Sequence, residues 1–211
     1  MKKIFLLFIL LISPAAFGAG VVSWLDGVSA VSFIGKQTIW APASAMRPSL
    51  TNGCAAAQSV ETTAGRPDMM VSDCDPTTEE HVQFNIAFPK SWDLGTLSFV
   101  AYHTTATGRT AGKDGVVWGL QCVAVGADET IDVAYGTEVV VGTDAAQTAE
   151  DVWATAESAA VTVGGTPADG DITFCQISRV VGSVTPLDDM DIDARLLGIK
   201  LHFTTDAAND D

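Results

Sequence analysis

Carboxylates in three short segments are the first residues of this sequence that could do chemistry. They lie at 73–80, at 169–171 and, most densely, at 188–193. Loop carboxylates at this density can coordinate Ca²⁺, which takes 6–8 oxygen ligands. The candidate Ca²⁺ ligands are Asp188, Asp189, Asp191 and Asp193. None of the segments has the EF-hand spacing, and Asp is common in solvated turns for backbone reasons. We therefore expect no cofactor, with Ca²⁺ as the alternative.

Tryptophan is the second residue type that could form a site, because an exposed indole can stack on a sugar ring. The five tryptophans are Trp24, Trp40, Trp92, Trp118 and Trp153. Trp92 is the best candidate for exposure, since it stands in a corner segment, 89–93, that begins with proline. Trp118 lies in an apolar stretch typical of a core strand. Core packing remains the favoured interpretation for each of the five.

Catalytic motifs are missing from the sequence. No G-x-S-x-G segment, P-loop or G-x-G-x-x-G segment occurs. The three histidines, His81, His103 and His202, have no motif around them. Two carboxylates could form a glycosidase site, but any acidic chain supplies such pairs and sequence does not give their separation. We predict that the protein is not an enzyme.

Four cysteines, an even number, predict disulfide bonds in an exported chain. Three pairings are possible, and we favour Cys54–Cys74 and Cys122–Cys175. The second pair would join two predicted strands. No C-x-x-C pair occurs and histidine is scarce, which argues against zinc.

The N-terminus has the pattern of a secretory leader. Lys2 and Lys3 precede the apolar run 4–12, and small residues follow at 15–19. The run is shorter than the roughly 20 residues that span a bilayer, and no later segment is long enough. We predict a signal peptide at 1–18, an arm or linker at 19–34, one domain at 35–205 and an acidic tail at 206–211. The protein is then exported, to the periplasm, the cell surface or the medium.

The charge balance excludes one class of partner. The chain has 26 acidic and 11 basic residues, a formal net charge of −15, and no basic patch. Such a surface repels phosphates, so nucleic-acid binding is not expected.

Short apolar runs bounded by Gly, Asp, Pro or Thr predict many short strands. The segment 82–88 alternates with period 2, 116–125 is apolar on both faces, and 172–181 and 194–204 follow. One helical fragment is predicted, at 144–152. About ten strands without a βαβ rhythm favour an all-β antiparallel sandwich, jelly-roll-like, with at most one short helix; an immunoglobulin-like sandwich is the alternative.

Three segments resemble uncharacterised virion-associated β-sandwich proteins of marine tailed bacteriophages: 35–46, 88–92 and 193–201. The resemblance runs from Gly35 to the C-terminus. It implies an all-β fold and carries no catalytic group. The leader departs from it, because tailed-phage virions assemble in the cytoplasm.

Two functions remain open on the sequence alone. The first is a non-enzymatic structural protein that self-associates into a homo-oligomer in an extracellular, cell-surface or virion assembly, using edge strands. The alternative is a secreted module that binds a glycan or another cell-surface polymer.

Overall fold

The computed structural model describes residues 34–106, 110–143 and 148–210. The predicted leader, the arm up to residue 33 and residues 144–147 of the predicted helix lie outside the described residues. Residues 34–211 form one compact unit, which contains eleven described strands. They are β1 (Gly35–Pro42), β2 (Arg47–Pro48), β3 (Gln58–Val60), β4 (Met69–Cys74), β5 (Glu80–Ala87), β6 (Ser98–Thr105), β7 (Val116–Val125), β8 (Val139–Thr143), β9 (Trp153–Ala154), β10 (Ile172–Arg179) and β11 (Ala194–Thr205).

The strands form two antiparallel sheets that pack face to face. The first sheet has the order β3-β4-β11-β6-β9, and β1 pairs with the same edge of β11 that β4 uses. The second sheet has the order β2-β5-β10-β7-β8. Strands β4 to β11 pass between the two sheets in the order of a jelly roll. The predicted jelly-roll-like sandwich is therefore confirmed.

Alternation of apolar residues builds the core between the sheets. On β5, Val82 and Phe84 are buried while Asn85 is exposed. Strand β7 lies between β10 and β8, and nine of its ten residues are buried, as expected of a strand that is apolar on both faces. The sequence predicted its bounds, 116–125, correctly.

Both favoured disulfides are present. Cys54–Cys74 ties the segment before β3 to the end of β4. Cys122–Cys175 joins β7 to β10 at directly opposite positions. All four residues are nearly or fully buried.

Helical structure is limited to one 3₁₀ turn, Ala43–Ala45, among the described residues. The described part of the predicted helix, 148–152, is turn and irregular backbone, so the prediction is wrong there. Within the same residues, no helix has the length and apolarity needed to cross a membrane.

A β-bulge changes the phase of the alternation in the first part of β11, whereas Ile199, Leu201 and Phe203 alternate regularly after it. The register shifts between Leu196 and Gly198, and Gly198 has a φ of +149°. Simple alternation placed Leu197 inward and Leu196 outward. Leu196 is instead fully buried, because the extra residue at the bulge reverses which side chains before it face the core.

Candidate functional site

The outward surface of the first sheet carries an exposed tryptophan. On β1, Lys36, Thr38 and Trp40 are exposed, while Ala41 is buried. Successive side chains of a strand point to opposite faces, so the three exposed residues lie in one row. Trp40 leaves 47% of its surface in contact with solvent, although tryptophan is highly buried on average.

The neighbouring strands hold the Trp40 ring in place. Its Cζ2 atom lies 2.8 Å from where a Cβ at Gly198 would stand, so the indole packs directly on the β11 backbone. The Tyr102 ring, on β6, meets the indole edge to face, with ring centroids 5.5 Å apart. Lys200 extends its Nζ to 5.0 Å from the centroid of Tyr102. The Trp40 indole is therefore packed against Gly198 and Tyr102, and the Tyr102 ring is in contact with a cation.

A shallow pocket of about 280 Å³ continues this surface along β1 and β11. Its polar lining comes from Lys36, Thr96, Ser98, Glu157, Ser158, His202 and Thr204. Thr38 stands opposite His202 in the register, and its Oγ1 is 3.0 Å from His202 Nδ1. We call the outward side chains of Lys36, Thr38, Trp40, Tyr102, Lys200 and His202 the Trp40 face.

Hydrogen bonds and charges fix the ionisation of the pocket. Glu157 accepts hydrogen bonds from Lys36 and from the Ser98 hydroxyl, and these hold the pKa of its carboxyl below the usual value. Burial lowers the pKa of His202, and the charge of Lys36 lowers it further. At neutral pH the pocket therefore presents an ionised Glu157 carboxylate and a neutral His202 imidazole.

A surface of this composition can hold a ring-shaped polar molecule. The aromatic face offers dispersion and apolar contact, and the hydroxyl, amine and imidazole groups offer hydrogen bonds around it. Among the described residues that line the pocket, Glu157 is the single carboxylate.

The structure places Trp92 in the core instead of at the surface. Trp92 is 4% exposed, and its ring packs on Phe88 with centroids 4.5 Å apart. Phe88 in turn contacts Phe203 of β11. The expectation that its corner exposes Trp92 is wrong, because the corner folds back on the end of the sandwich. Trp118 is fully buried, as its apolar strand predicted.

The four candidate calcium ligands point to different protein partners. Asp188 is buried, pairs with Arg179 at 3.3 Å and accepts the backbone N–H of Val117. Asp189 accepts the N–H of Gly115, and Asp191 accepts two hydrogen bonds from Thr110.

The fourth candidate, Asp193, takes part in none of these hydrogen bonds or the ion pair. Burial raises the pKa of Asp193, and the carboxylates of Asp73 and Asp75 raise it further. The described residues contain no group of three or more His, Cys, Asp or Glu side chains that could hold a metal ion. The structure therefore does not bring the four carboxylates together as a calcium site.

The sequence contained a signal for the Trp40 face that the prediction did not use. Trp40 has the same phase as Lys36 and Thr38, whereas Ile39 and Ala41 have the opposite phase. A tryptophan in phase with charged and polar residues is expected to point outward. The contributions of Tyr102 and Gly198 depend on strand pairing, which no local pattern gives.

A second pocket, of about 250 Å³, lies on the outward side of the other sheet. Tyr135, Phe174, Gln83 and Arg47 contribute to its lining. Burial raises the pKa of Tyr135. This pocket supplies an aromatic residue far from β1 in the topology, which is useful as a control.

The sequence matches no protein-family model and no curated protein. Solved structures with a similar arrangement of strands include an isomalto-dextranase of Arthrobacter globiformis T6 complexed with panose. It is 15% identical, with a TM-score of 0.42, and the alignment covers 78% of this chain and 23% of the enzyme. The chain thus spans less than a quarter of that enzyme's length.

A family 11 carbohydrate-binding module from Clostridium thermocellum, in complex with a β-1,3-1,4-mixed-linked tetrasaccharide, is 8% identical with a TM-score of 0.39. That alignment covers 83% of this chain and 98% of the module. At these identities the likeness concerns architecture alone and assigns no residue. The resemblance to phage virion proteins stays a prediction.

Proposed function

We propose that the protein is a glycan-binding β-sandwich module that acts outside the cytoplasm and binds its ligand on the Trp40 face. The observation that carries this proposal is the half-exposed Trp40 indole, packed on Gly198 and Tyr102 beside a polar pocket. Two disulfide bonds support an oxidising location.

The polarity around Trp40 favours a sugar over a protein partner. A large contiguous apolar patch on a surface marks a protein or membrane interaction site. Here the residues that surround the indole on β1 and β11 are Thr38, Lys200 and His202, with polar or charged groups at their ends. A sugar ring has an apolar face for the indole and hydroxyl groups for these side chains, so it matches both parts of the surface.

The proposal is tested by affinity electrophoresis against a panel of soluble neutral and acidic polysaccharides, followed by titration calorimetry on any that retard the protein. We expect Trp40→Ala to lose retardation. Tyr135→Ala is the matched control, since it removes an aromatic residue of the segment between β7 and β8, which lines the pocket on the outward side of the other sheet. If Tyr135→Ala abolishes binding and Trp40→Ala does not, the site lies on the other sheet and the proposal is wrong.

Self-association through the edge of β1, which borders the Trp40 face, is the competing function. Strand β1 pairs with β11 and has no second strand partner among the described residues, so two copies could pair edge to edge. Light scattering on the same samples separates the two functions. A wild-type dimer that Trp40→Ala converts to a monomer, without glycan binding, would assign the face to self-association.

A further inference from the structure

The Trp40 face differs in charge from the chain as a whole. The sequence has 26 acidic and 11 basic residues. Yet the three strands that form the face, β1, β6 and β11, contain no Asp or Glu at all. Two lysines and a histidine of these strands, Lys36, Lys200 and His202, all belong to the outward surface. These strands therefore bring basic side chains and no carboxylate of their own to the Trp40 face, where Glu157, from the segment after β9, pairs with Lys36.

Lys200 is the cation without a carboxylate partner on this face. Among the described residues, ion pairs join Lys36 to Glu157, Arg195 to Asp73 and Arg179 to Asp188. Lys200 is in none of them; it is exposed, and its ammonium group stands over the Tyr102 ring. That contact leaves N–H donors of the ammonium group available to a ligand, beside the indole of Trp40.

His202 adds a second, pH-dependent charge to the same row. The charged groups that face it are Lys36 on β1, Glu157 in the segment after β9 and Lys200 on its own strand. The two lysines oppose its protonation, and Glu157, which is already bound to Lys36 and Ser98, favours it. An anion bound between Lys200 and His202 would offset the repulsion by the lysines.

We propose that the ligand of the Trp40 face is an anionic polysaccharide, with a sugar ring on Trp40 and its carboxylate or sulfate group on Lys200 and His202. The inference rests on the proposed glycan-binding function and specifies the ligand's charge. Charge complementarity supports it, because the exposed aromatic ring of Trp40 lies beside Lys200, whose ammonium group has no carboxylate partner among the described residues.

The test compares ligands that differ in charge alone: polygalacturonate against its carboxyl-reduced form, and dextran sulfate against dextran. We expect the wild-type protein to bind at least one anionic polymer at least about tenfold more tightly than its neutral counterpart, as charge-assisted hydrogen bonds imply. The difference is expected to shrink as NaCl is raised from 50 to 500 mM, about the range over which exposed charges become screened. The two polymer pairs separate carboxylate from sulfate recognition.

Two variants locate the effect. Lys200→Gln should lose most of the preference for the anionic polymer, whereas Lys113→Gln, which removes the same charge from an exposed turn, should keep it. Lowering the pH from 7.5 to 5.5 should tighten the binding of the anionic polymer to the wild type and not to His202→Gln. The reason is that protonation of His202 adds a positive charge to the site.

The outcomes distinguish this inference from the proposed function. If neutral and anionic polymers bind equally well and Trp40→Ala abolishes both, the glycan-binding function stands and the anionic ligand is wrong. If Lys113→Gln reduces the preference as much as Lys200→Gln, the effect comes from net charge and the assignment to the Trp40 face is wrong. If no polymer of either kind binds, the proposed function itself fails.

Discussion

Gly198 lies both at the bulge of β11 and beneath the Trp40 indole. Its replacement by alanine therefore tests whether the indole packs on the β11 backbone. Gly198 lies at the bulge of β11 with φ +149°, a conformation that residues with a Cβ rarely adopt. A Cβ there would stand 2.5 Å from the Ala41 carbonyl oxygen and 2.8 Å from Trp40 Cζ2. Gly198→Ala must therefore displace the end of β1, the indole, or both.

The expected cost has two sources. The unusual backbone conformation costs a residue with a Cβ about 1–3 kcal/mol. Separation of β1 from β11 near the Pro42–Gly198 pair weakens one ladder hydrogen bond, worth about 1 kcal/mol. The free energy of unfolding should then fall by roughly 2–4 kcal/mol, which lowers the Tm of a domain of this size by roughly 5–15 °C.

The matched control is Gly170→Ala. Gly170 has φ +88°, but a Cβ there meets nothing within 4 Å, so this variant carries the backbone cost alone, about 1–2 kcal/mol. Differential scanning calorimetry measures both Tm values, and affinity electrophoresis measures glycan retention. We expect Gly198→Ala to lose more stability than Gly170→Ala and, unlike it, to lose affinity. Equal Tm values with wild-type affinity in both would refute the packing of Trp40 on Gly198.

The remaining predictions concern stability. Arg179→Met removes the buried partner of Asp188 and the hydrogen bonds to three backbone carbonyls, so urea denaturation should show a loss of about 3–5 kcal/mol; a loss below about 1 kcal/mol would contradict a structural role for the pair. The Cys122–Cys175 bond closes a longer loop than Cys54–Cys74, a sequence separation of 53 against 20. Chain entropy therefore predicts that the free energy of unfolding falls by about 4 kcal/mol when Cys122 and Cys175 both become alanine. The same change at Cys54 and Cys74 should lower it by about 3 kcal/mol. The reverse order in guanidinium denaturation would show that chain entropy does not dominate.

The long strands could be predicted because their pattern is local. Strands β5 and β11 alternate, and β7 is largely apolar on both faces, which marks a strand covered on both faces. Strands β2 and β3 have only two and three residues and pair through backbone atoms, so they left no periodic signal in the sequence. The bulge at Gly198 was equally invisible to alternation, because a single inserted residue changes the phase without changing the composition.

The acidic segment 188–193 shows why the candidate site could not be predicted from composition. Its carboxylates bind Arg179 and the N–H groups of Gly115, Val117 and Thr110, which come from two other parts of the chain. These contacts depend on the pairing of the sheets. Carboxylates that are close in sequence therefore bind separate parts of the chain, and Asp188 belongs to a buried ion pair.

Trp40 and Trp92 show how an exposed tryptophan differs from a core tryptophan in this fold. Trp92 stands in a corner, where the chain has no periodicity and the direction of a side chain depends on tertiary contacts. Trp40 stands in a regular strand, in phase with Lys36 and Thr38, so its outward direction follows from the backbone. Because Gly198 and Tyr102 already hold the indole, its ordering occurs on folding. A ligand that stacks on a ring ordered in advance loses less entropy on binding, which makes a single exposed tryptophan an effective contact.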